Sequence, residues 1–279
     1  DSLRYSMRTD GKSGFVFVNH YQRLAKLNDV ENVIIDTGSV TFPAIDVKGD
    51  IGFLFPFGIK LGEETLEYAT AQPICRERDT YFFAEIPGIR AEYKFAGRES
   101  LTVKAGMGHW LKIGDIKVVT LTWEEARFLR KLEDEVYVGD DCDLIWHEKR
   151  VKAVTPGVHH YYSWEGDGFE RLTTGEKFAQ AEILIEPLNQ IPFEPKYKEE
   201  LFLGGERNLS FAKVSVTTDE GFVEIPNVGD VLQLYTAENE MIADNFYYGK
   251  PWRLPAKLLF GRELYLVVSE LKNDFYKEY

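Results

Sequence analysis

Cysteine is scarce. Cys75 and Cys142 are the only two in the chain; they match no Cys-x-x-Cys spacing and are too few for a disulfide-dense scaffold. Cys75 lies in an apolar stretch and reads as a small buried thiol. No stretch of 18 apolar residues exists, so no segment is a candidate for a membrane-spanning helix, and no membrane partner is expected. Positive charge is outnumbered: 33 Lys and Arg against 46 Asp and Glu leave a net charge of −13 and a pI near 5. A nucleic-acid surface needs clustered cations to displace counterions from phosphates, so nucleic acid is excluded as a partner. Repeats of fixed period and low-complexity runs are missing. So is any signal-peptide pattern: the chain opens directly into the strand-like alternation Leu3-Arg4-Tyr5-Ser6-Met7-Arg8, and it reads as a piece of a longer polypeptide.

What is present in quantity is apolar and aromatic residues, 44% and 14% of the 279, ample for one or two packed domains. The stretch 51–95 shows how they are arranged. Short apolar runs at Phe53-Leu54-Phe55, 66–74 and 81–86 are separated by Gly58, Gly62, Pro73, Asp79 and Pro87-Gly88. Each run is about strand length, roughly 5–6 residues. In Ile89-Arg90-Ala91-Glu92-Tyr93-Lys94-Phe95, Ile, Ala, Tyr and Phe share one face and the charges the other, the period of a half-buried antiparallel strand. Tyr81-Phe82-Phe83-Ala84 is apolar throughout and is expected to lie central, covered on both sides. Residues 3–7 and 15–18 flank an Asp10-Gly11 turn and predict a hairpin. Residues 33–35 and 39–42 around Asp36-Thr37-Gly38 predict a second. Strands follow at 101–103, 110–113, 116–121, 136–138, 144–146 and 151–154, and later at 211–216, 221–225, 231–235, 241–243 and 264–268. One helix is expected near 123–132. Thr122 and Glu125 have capping-box spacing, Glu124 and Glu125 suit the positive end of the helix dipole, and Ala126, Leu129 and Leu132 turn inward. Pro187, Pro192 and Pro195 mark an irregular connection, since proline cannot sit in a central strand. The fold class is therefore mainly β: two antiparallel β-sandwich or jelly-roll-like domains, over 1–172 and 173–279.

Chemistry-bearing residues are spread thinly. Glu63-Glu64, Glu124-Glu125 and Glu199-Glu200 are adjacent pairs, whereas a retaining glycosidase needs two carboxyls facing each other roughly 5 Å apart; neighbours in sequence point apart, so capping or solvated carboxylates are expected. Asp140-Asp141-Cys142-Asp143 lacks the Asp-x-Asp-x-Asp-Gly spacing of a calcium loop and reads, beside Gly139, as an Asx turn. His159 and His160 diverge on a strand; His109 and His147 are isolated. No metal and no cofactor are expected. Two clusters offer more. Asn19, His20, Tyr21 and Arg23 form a polar and aromatic group at a strand end. Residues 245–253 gather Tyr247, Tyr248, Trp252 and Arg253 beside Gly249 and Pro251; sugars stack on such rings while polar neighbours bond their hydroxyls. The competing reading there is that Phe246 and Trp252 anchor the loop to the core.

Several phrases resemble bacterial β-galactosidases of glycoside hydrolase family 35. They are Arg4-Tyr5-Ser6-Met7-Arg8-Thr9-Asp10-Gly11, Gly14-Phe15-Val16-Phe17-Val18-Asn19, Leu66-Glu67-Tyr68-Ala69-Thr70-Ala71-Gln72-Pro73, Val118-Val119-Thr120-Leu121-Thr122 and Val136-Tyr137-Val138-Gly139-Asp140. Two further phrases, Gly229-Asp230-Val231-Leu232-Gln233-Leu234-Tyr235 and 243–252, resemble the jelly-roll module of the same enzymes. The resemblance implies a retaining enzyme with two glutamates on a (β/α)₈ barrel. No part of this chain reads as that barrel, so no catalytic residue carries over. It implies an accessory region that packs on a catalytic barrel of the same parent polypeptide and shapes the rim of its sugar pocket. Asn19, His20, Tyr21 and Arg23 are the candidate barrel-facing loop, and galactose-containing carbohydrate is the candidate ligand. A free-standing carbohydrate-binding module using Tyr247, Tyr248, Trp252 and Arg253 is the alternative, and a surface-adhesion β protein the third reading.

Overall fold

The computed structural model describes residues 3–22, 25–147, 149–154, 157–174, 181–202, 205–226, 228–246 and 250–271. Strands take up 55% of the chain and three short helices 5%, so the protein is mainly β. The chain divides into two units, Asp1–Ala153 with Val158–Glu176 and Val154–Gly157 with Lys177–Tyr279.

Among the described residues, the first unit stacks three larger sheets and carries two two-stranded ribbons. The largest runs in the order Arg4–Thr9, Gly14–His20, Ile51–Leu61, Glu64–Ala69, Glu92–Phe95, Leu101–Thr102, antiparallel throughout. The next runs Trp110–Ile113, Ile116–Leu121, Thr80–Ala84, Gln72–Glu77; its two middle strands are parallel and its outer pairings antiparallel. The third is Leu129–Leu132, Glu135–Gly139, His160–Trp164, Phe169–Thr173. Side-chain alternation explains the stacking. On Thr80–Ala84, Phe83 points to the largest sheet and meets Tyr93 edge-on at 5.2 Å. Phe82 points the other way and meets Trp164 at 5.6 Å. The strand is covered on both faces, as its unbroken apolar run requires. Ile89, Ala91, Tyr93 and Phe95 are all buried, as the alternation predicts.

Four expectations need correction, each for a local reason. The run 66–74 is not one strand. Glu64–Ala69 belongs to the largest sheet and Gln72–Glu77 to the central one, and the chain crosses between them at Thr70. The buried Thr70 hydroxyl donates to Arg90 O at 2.6 Å and accepts from Glu92 N at 2.9 Å, replacing ladder bonds where the strand changes sheets.

The second hairpin is also different: Val30–Val33 pairs with Ile45–Val47, and residues 36 and 41 make only an isolated bridge. Asp36 Oδ1 accepts from Gly38 N, and the Thr37 hydroxyl from Val40 N; such local side-chain bonds compete with a ladder. The helix is shorter than expected. The capping box is present, with Thr122 Oγ1 accepting from Glu125 N and the Glu125 carboxylate from Thr122 N. Yet the helix spans only Trp123–Arg127, and Leu129–Leu132 is a strand paired with Glu135–Gly139. Tertiary pairing overrides local helical preference here, and Leu129 still reaches the core. Finally, Cys75 is only half-buried, while Cys142 is buried. Both are free thiols, and burial raises each to about 11, so both stay protonated at neutral pH.

The second unit has an antiparallel sheet in the order Ile183–Leu188, Leu209–Val216, Leu264–Glu270, Gly229–Thr236, Met241–Phe246, and a ribbon of Phe222–Ile225 with Trp252–Pro255. The runs expected at 211–216, 231–235, 241–243 and 264–268 lie in these strands, and the one at 221–225 starts a residue later, at Phe222. Val214, Leu232, Leu234 and Leu266 meet Val223, Ile225, Trp252 and Leu254 between sheet and ribbon. Leu201, Phe193 and their neighbours cover the opposite face. Gly229–Thr236 is buried along its whole length, so its polar residues are bonded: Asp230 pairs with Arg207, and Gln233 Nε2 donates to Glu200 at 2.9 Å. Five strands plus two, among the described residues, make a sandwich-like packing with fewer strands than the eight of a jelly roll.

Candidate functional site

The strand-end cluster of the first unit forms part of an open groove of about 510 Å³. Strands Gly14–His20 and Ile51–Leu61 pair Phe17 with Leu54 and Asn19 with Gly52, so alternate residues present an apolar wall and then a polar rim. Asn19, Tyr21, Asp50 and Gln72 line the groove with Phe17 and Leu54. The loop is held in place by its own bonds. Asn19 Oδ1 accepts from Tyr21 N at 3.0 Å, and the Tyr21 carbonyl accepts from the Arg4 guanidinium. His20, expected to be exposed, is instead buried, and its Nε2 lies 2.6 Å from Asn28 O. It anchors the loop and does not face the groove. Tyr21 keeps 52% of its surface exposed. Gln72 Oε1 accepts from Leu54 N at 3.1 Å, tying the start of the central sheet to the groove wall. Arg23 lies outside the described residues. An apolar wall with a few fixed amide and carboxylate groups suits a neutral polyhydroxylated ligand.

In the aromatic cluster of the second unit, Trp252 takes the core-anchoring reading. Trp252 is only 6% exposed and packs in the core, so it offers no ring face to a sugar. Arg253 Nε donates to Glu224 at 2.5 Å across the ribbon. Phe246 is exposed and does not anchor the loop. Tyr247 and Tyr248 lie outside the described residues.

Several of the remaining candidates have structural partners. Glu64 pairs with Arg98 at 2.8 Å, Glu124 with Arg127 at 3.0 Å, Glu125 closes the capping box and Glu200 holds Gln233. Asp140 lies 3.5 Å from Arg171, and Asp143 pairs with Arg130. Gly139 is required at that turn, since a Cβ there would stand 1.9 Å from Cys142 O. Among the described residues, no group of three or more His, Cys, Asp and Glu could hold a metal ion. Asp50 and Gln72 were not singled out from sequence. Their only signal is a polar residue beside each apolar run, which is common at any strand end.

What the fold and groove define is a two-unit β protein with an open surface site at a sheet end. No protein-family model matches the chain, and no curated protein matches it in sequence.

Proposed function

We propose that the chain is a non-catalytic accessory β region of a glycoside hydrolase family 35-like β-galactosidase, packing on a catalytic barrel of the same parent polypeptide and shaping the rim of its sugar pocket. The observation that carries this reading is an uncovered apolar edge beside the groove. Among the described residues, strand Arg4–Thr9 pairs on one side only. Its Tyr5 and Met7 stand opposite the buried Val18 and Val16, so they extend the core face of the sheet, yet they are 75% and 42% exposed. Apolar surface continuous with a core and left open marks an interaction site, and an unpaired edge is one that proteins cover. Arg4, on the same strand, bonds the carbonyl of Tyr21, which lines the groove. A body seated on Tyr5 and Met7 thus has Asn19 and Tyr21 at its margin. Glu64, Glu124, Glu125 and Glu200 of the adjacent glutamate pairs are taken up structurally, which fits a scaffold.

The test is hydrolysis of a nitrophenyl β-galactoside. The chain alone gives no turnover. Turnover by the chain alone that disappears when one of its own glutamates is replaced would overturn the reading. In the parent polypeptide, Tyr5→Asp with Met7→Asp loosens the contact and lowers the melting temperature of the barrel; an unchanged melt counts against the reading.

A further inference from the structure

We propose that Gly52 floors a subsite of the Tyr21 groove that seats one neutral hexopyranose unit and bonds a vicinal pair of its hydroxyls. Gly52 belongs to strand Ile51–Leu61, and glycine weakens a strand. Where it is kept, it marks a bulge, a tight bend or a close approach to the backbone. The ladder with Gly14–His20 runs through Gly52 without a shift: Val18 opposes Phe53, Asn19 opposes Gly52 and His20 opposes Ile51. There is no bulge here. Gly52 is not among the glycines of positive φ, so no left-handed turn requires it. Among the described residues and outside its chain neighbours, a Cβ at 52 would meet only Val18 O, at 3.6 Å, an ordinary contact. Gly49 and Gly58 differ: a Cβ would stand 2.0 Å from Leu27 O at the first and 2.2 Å from Lys12 O at the second. The fold accounts for those two glycines and not for Gly52. What remains is a ligand that comes close to the bare backbone.

The groups around that floor are set for hydroxyls. Opposed residues of an antiparallel pair share a face, and so do residues two apart on a strand. Asn19, Phe17 and Leu54 therefore lie on the face of Gly52, turned away from the core that takes Val18, Phe53 and Phe55. A backbone N–H bonds the oxygen of an amide side chain, never its NH2 group. Asn19 Oδ1 accepts from Tyr21 N at 3.0 Å, and Gln72 Oε1 accepts from Leu54 N at 3.1 Å. Each amide is thereby oriented with its NH2 group left as a donor. Neither NH2 group has a partner among the described residues, and nor does the Asp50 carboxylate. All three residues line the groove.

A hydroxyl both donates and accepts, so two adjacent hydroxyls satisfy this set: they donate to the two oxygens of Asp50 and accept from the Asn19 and Gln72 amides. The half-buried Phe17 and Leu54 take the C–H edge of the ring, in the usual mix of apolar wall and few polar groups. A carboxylate at the groove and a net charge of −13 repel an anionic sugar. Tyr5 and Met7 oppose Val18 and Val16 and so lie on the other face of the sheet. A body seated on them leaves Gly52 open, and the subsite does not depend on the accessory-region reading.

The experiment titrates the full chain with a β-galactotetraose, with cellotetraose and with a tetragalacturonide. Calorimetry gives the affinity, and the side-chain NH2 resonances of Asn19 and Gln72 report the site. Saturable millimolar binding of at least one neutral tetrasaccharide is expected, about tenfold or more tighter than the acidic one. Gly52→Val fills the floor and weakens binding by about tenfold or more, while the melting temperature stays level or rises, since valine suits a strand. Asp50 has a φ of 61°, which asparagine tolerates, so Asp50→Asn keeps the turn and weakens binding by about tenfold. No saturable binding of either neutral sugar, or undiminished binding by Gly52→Val or Asp50→Asn, overturns the proposal. So does a markedly lower melting temperature of Gly52→Val, because the glycine would then serve the fold.

Discussion

Removing one ring from the central strand tests the three-layer packing directly. Phe82 is completely buried between the central and third sheets, edge-on to Trp164 at 5.6 Å and near Phe169 at 6.4 Å. Phe82→Ala loses the transfer free energy of a phenyl group and leaves a cavity that a sheet cannot collapse, about 3–5 kcal/mol. The two ring contacts account for about 0.5–1.5 kcal/mol each beyond area. For a unit of this size each kcal/mol moves the melting point by about 2–4 °C, so a fall of about 6–20 °C is expected. Phe83→Ala, whose ring faces Tyr93 on the other side of the same strand, should fall by a similar amount. Tyr5→Ala, on the exposed edge, should stay within about 0.5 kcal/mol. Near-UV circular dichroism melts of the three variants and the parent chain give the comparison. If either phenylalanine variant loses less than about 1 kcal/mol, the strand is covered on one side only and the three-layer account is wrong.

Three further outcomes follow from other named contacts. Thr122→Ala removes the capping-box hydroxyl and lowers stability by about 0.5–2 kcal/mol, while Thr122→Ser leaves it nearly unchanged; chemical denaturation measures both. Burial raises the Glu77 carboxyl above the ordinary 4.5, so its favourable protonated form is complete below that pH and is lost as pH climbs through the folded value. Glu77→Gln keeps a neutral acceptor for Val136 N, and should raise the melting point at pH 7 with a gain that shrinks towards pH 4.5. An equal gain at both pH values defeats that account. Asp230→Ala leaves the Arg207 guanidinium in a buried site without its carboxylate. It should destabilise the second unit by about 3–5 kcal/mol, with much of the loss recovered when Arg207→Met is added; a double variant no better than the single one contradicts this.

The parts of the fold that were legible are those where one face decides. Ile89 to Phe95 alternates cleanly, and every apolar member is buried. Tyr81-Phe82-Phe83-Ala84 has no polar face to offer and lies between two sheets. The capping box at Thr122 is a local hydrogen-bond pattern, and it forms locally. What could not be read is where long-range pairing outbids local signals. Leu129 and Leu132 have helical spacing, yet the backbone of Leu129–Leu132 gains a ladder with Glu135–Gly139. The run 66–74 carries no mark of the change of sheet at Thr70 except that single hydroxyl. The site was legible only in part for the same reason. Asn19 and Tyr21 are visible at a strand end, but Asp50 reaches them through the pairing of the next residue, Ile51, with His20, and Gln72 through its bond to Leu54 N from another sheet. Trp252 looked like a platform because rings in a loop and rings in a core have the same composition; only the pairing with Ile225 places it inside.

The distribution of polar groups also says where binding can occur. Inside both units, buried polar side chains have partners that hold elements in place: Tyr93 with Thr120, Gln233 with Glu200, Ser269 with Leu201 O. Such bonds are made within the fold and leave little to recognise a ligand. A side chain that combines exposure, a fixed conformation and a nearby apolar wall is found instead at a sheet end, Tyr21 at its groove. A stacked β architecture favours this outcome. Its interior is filled by interdigitating rings, and only the margins of the sheets leave backbone and side chains without a neighbour. Open surface in this fold therefore lies at the rims of its sheets. The Tyr21 groove is lined by amides and a carboxylate and lies next to an exposed apolar edge strand.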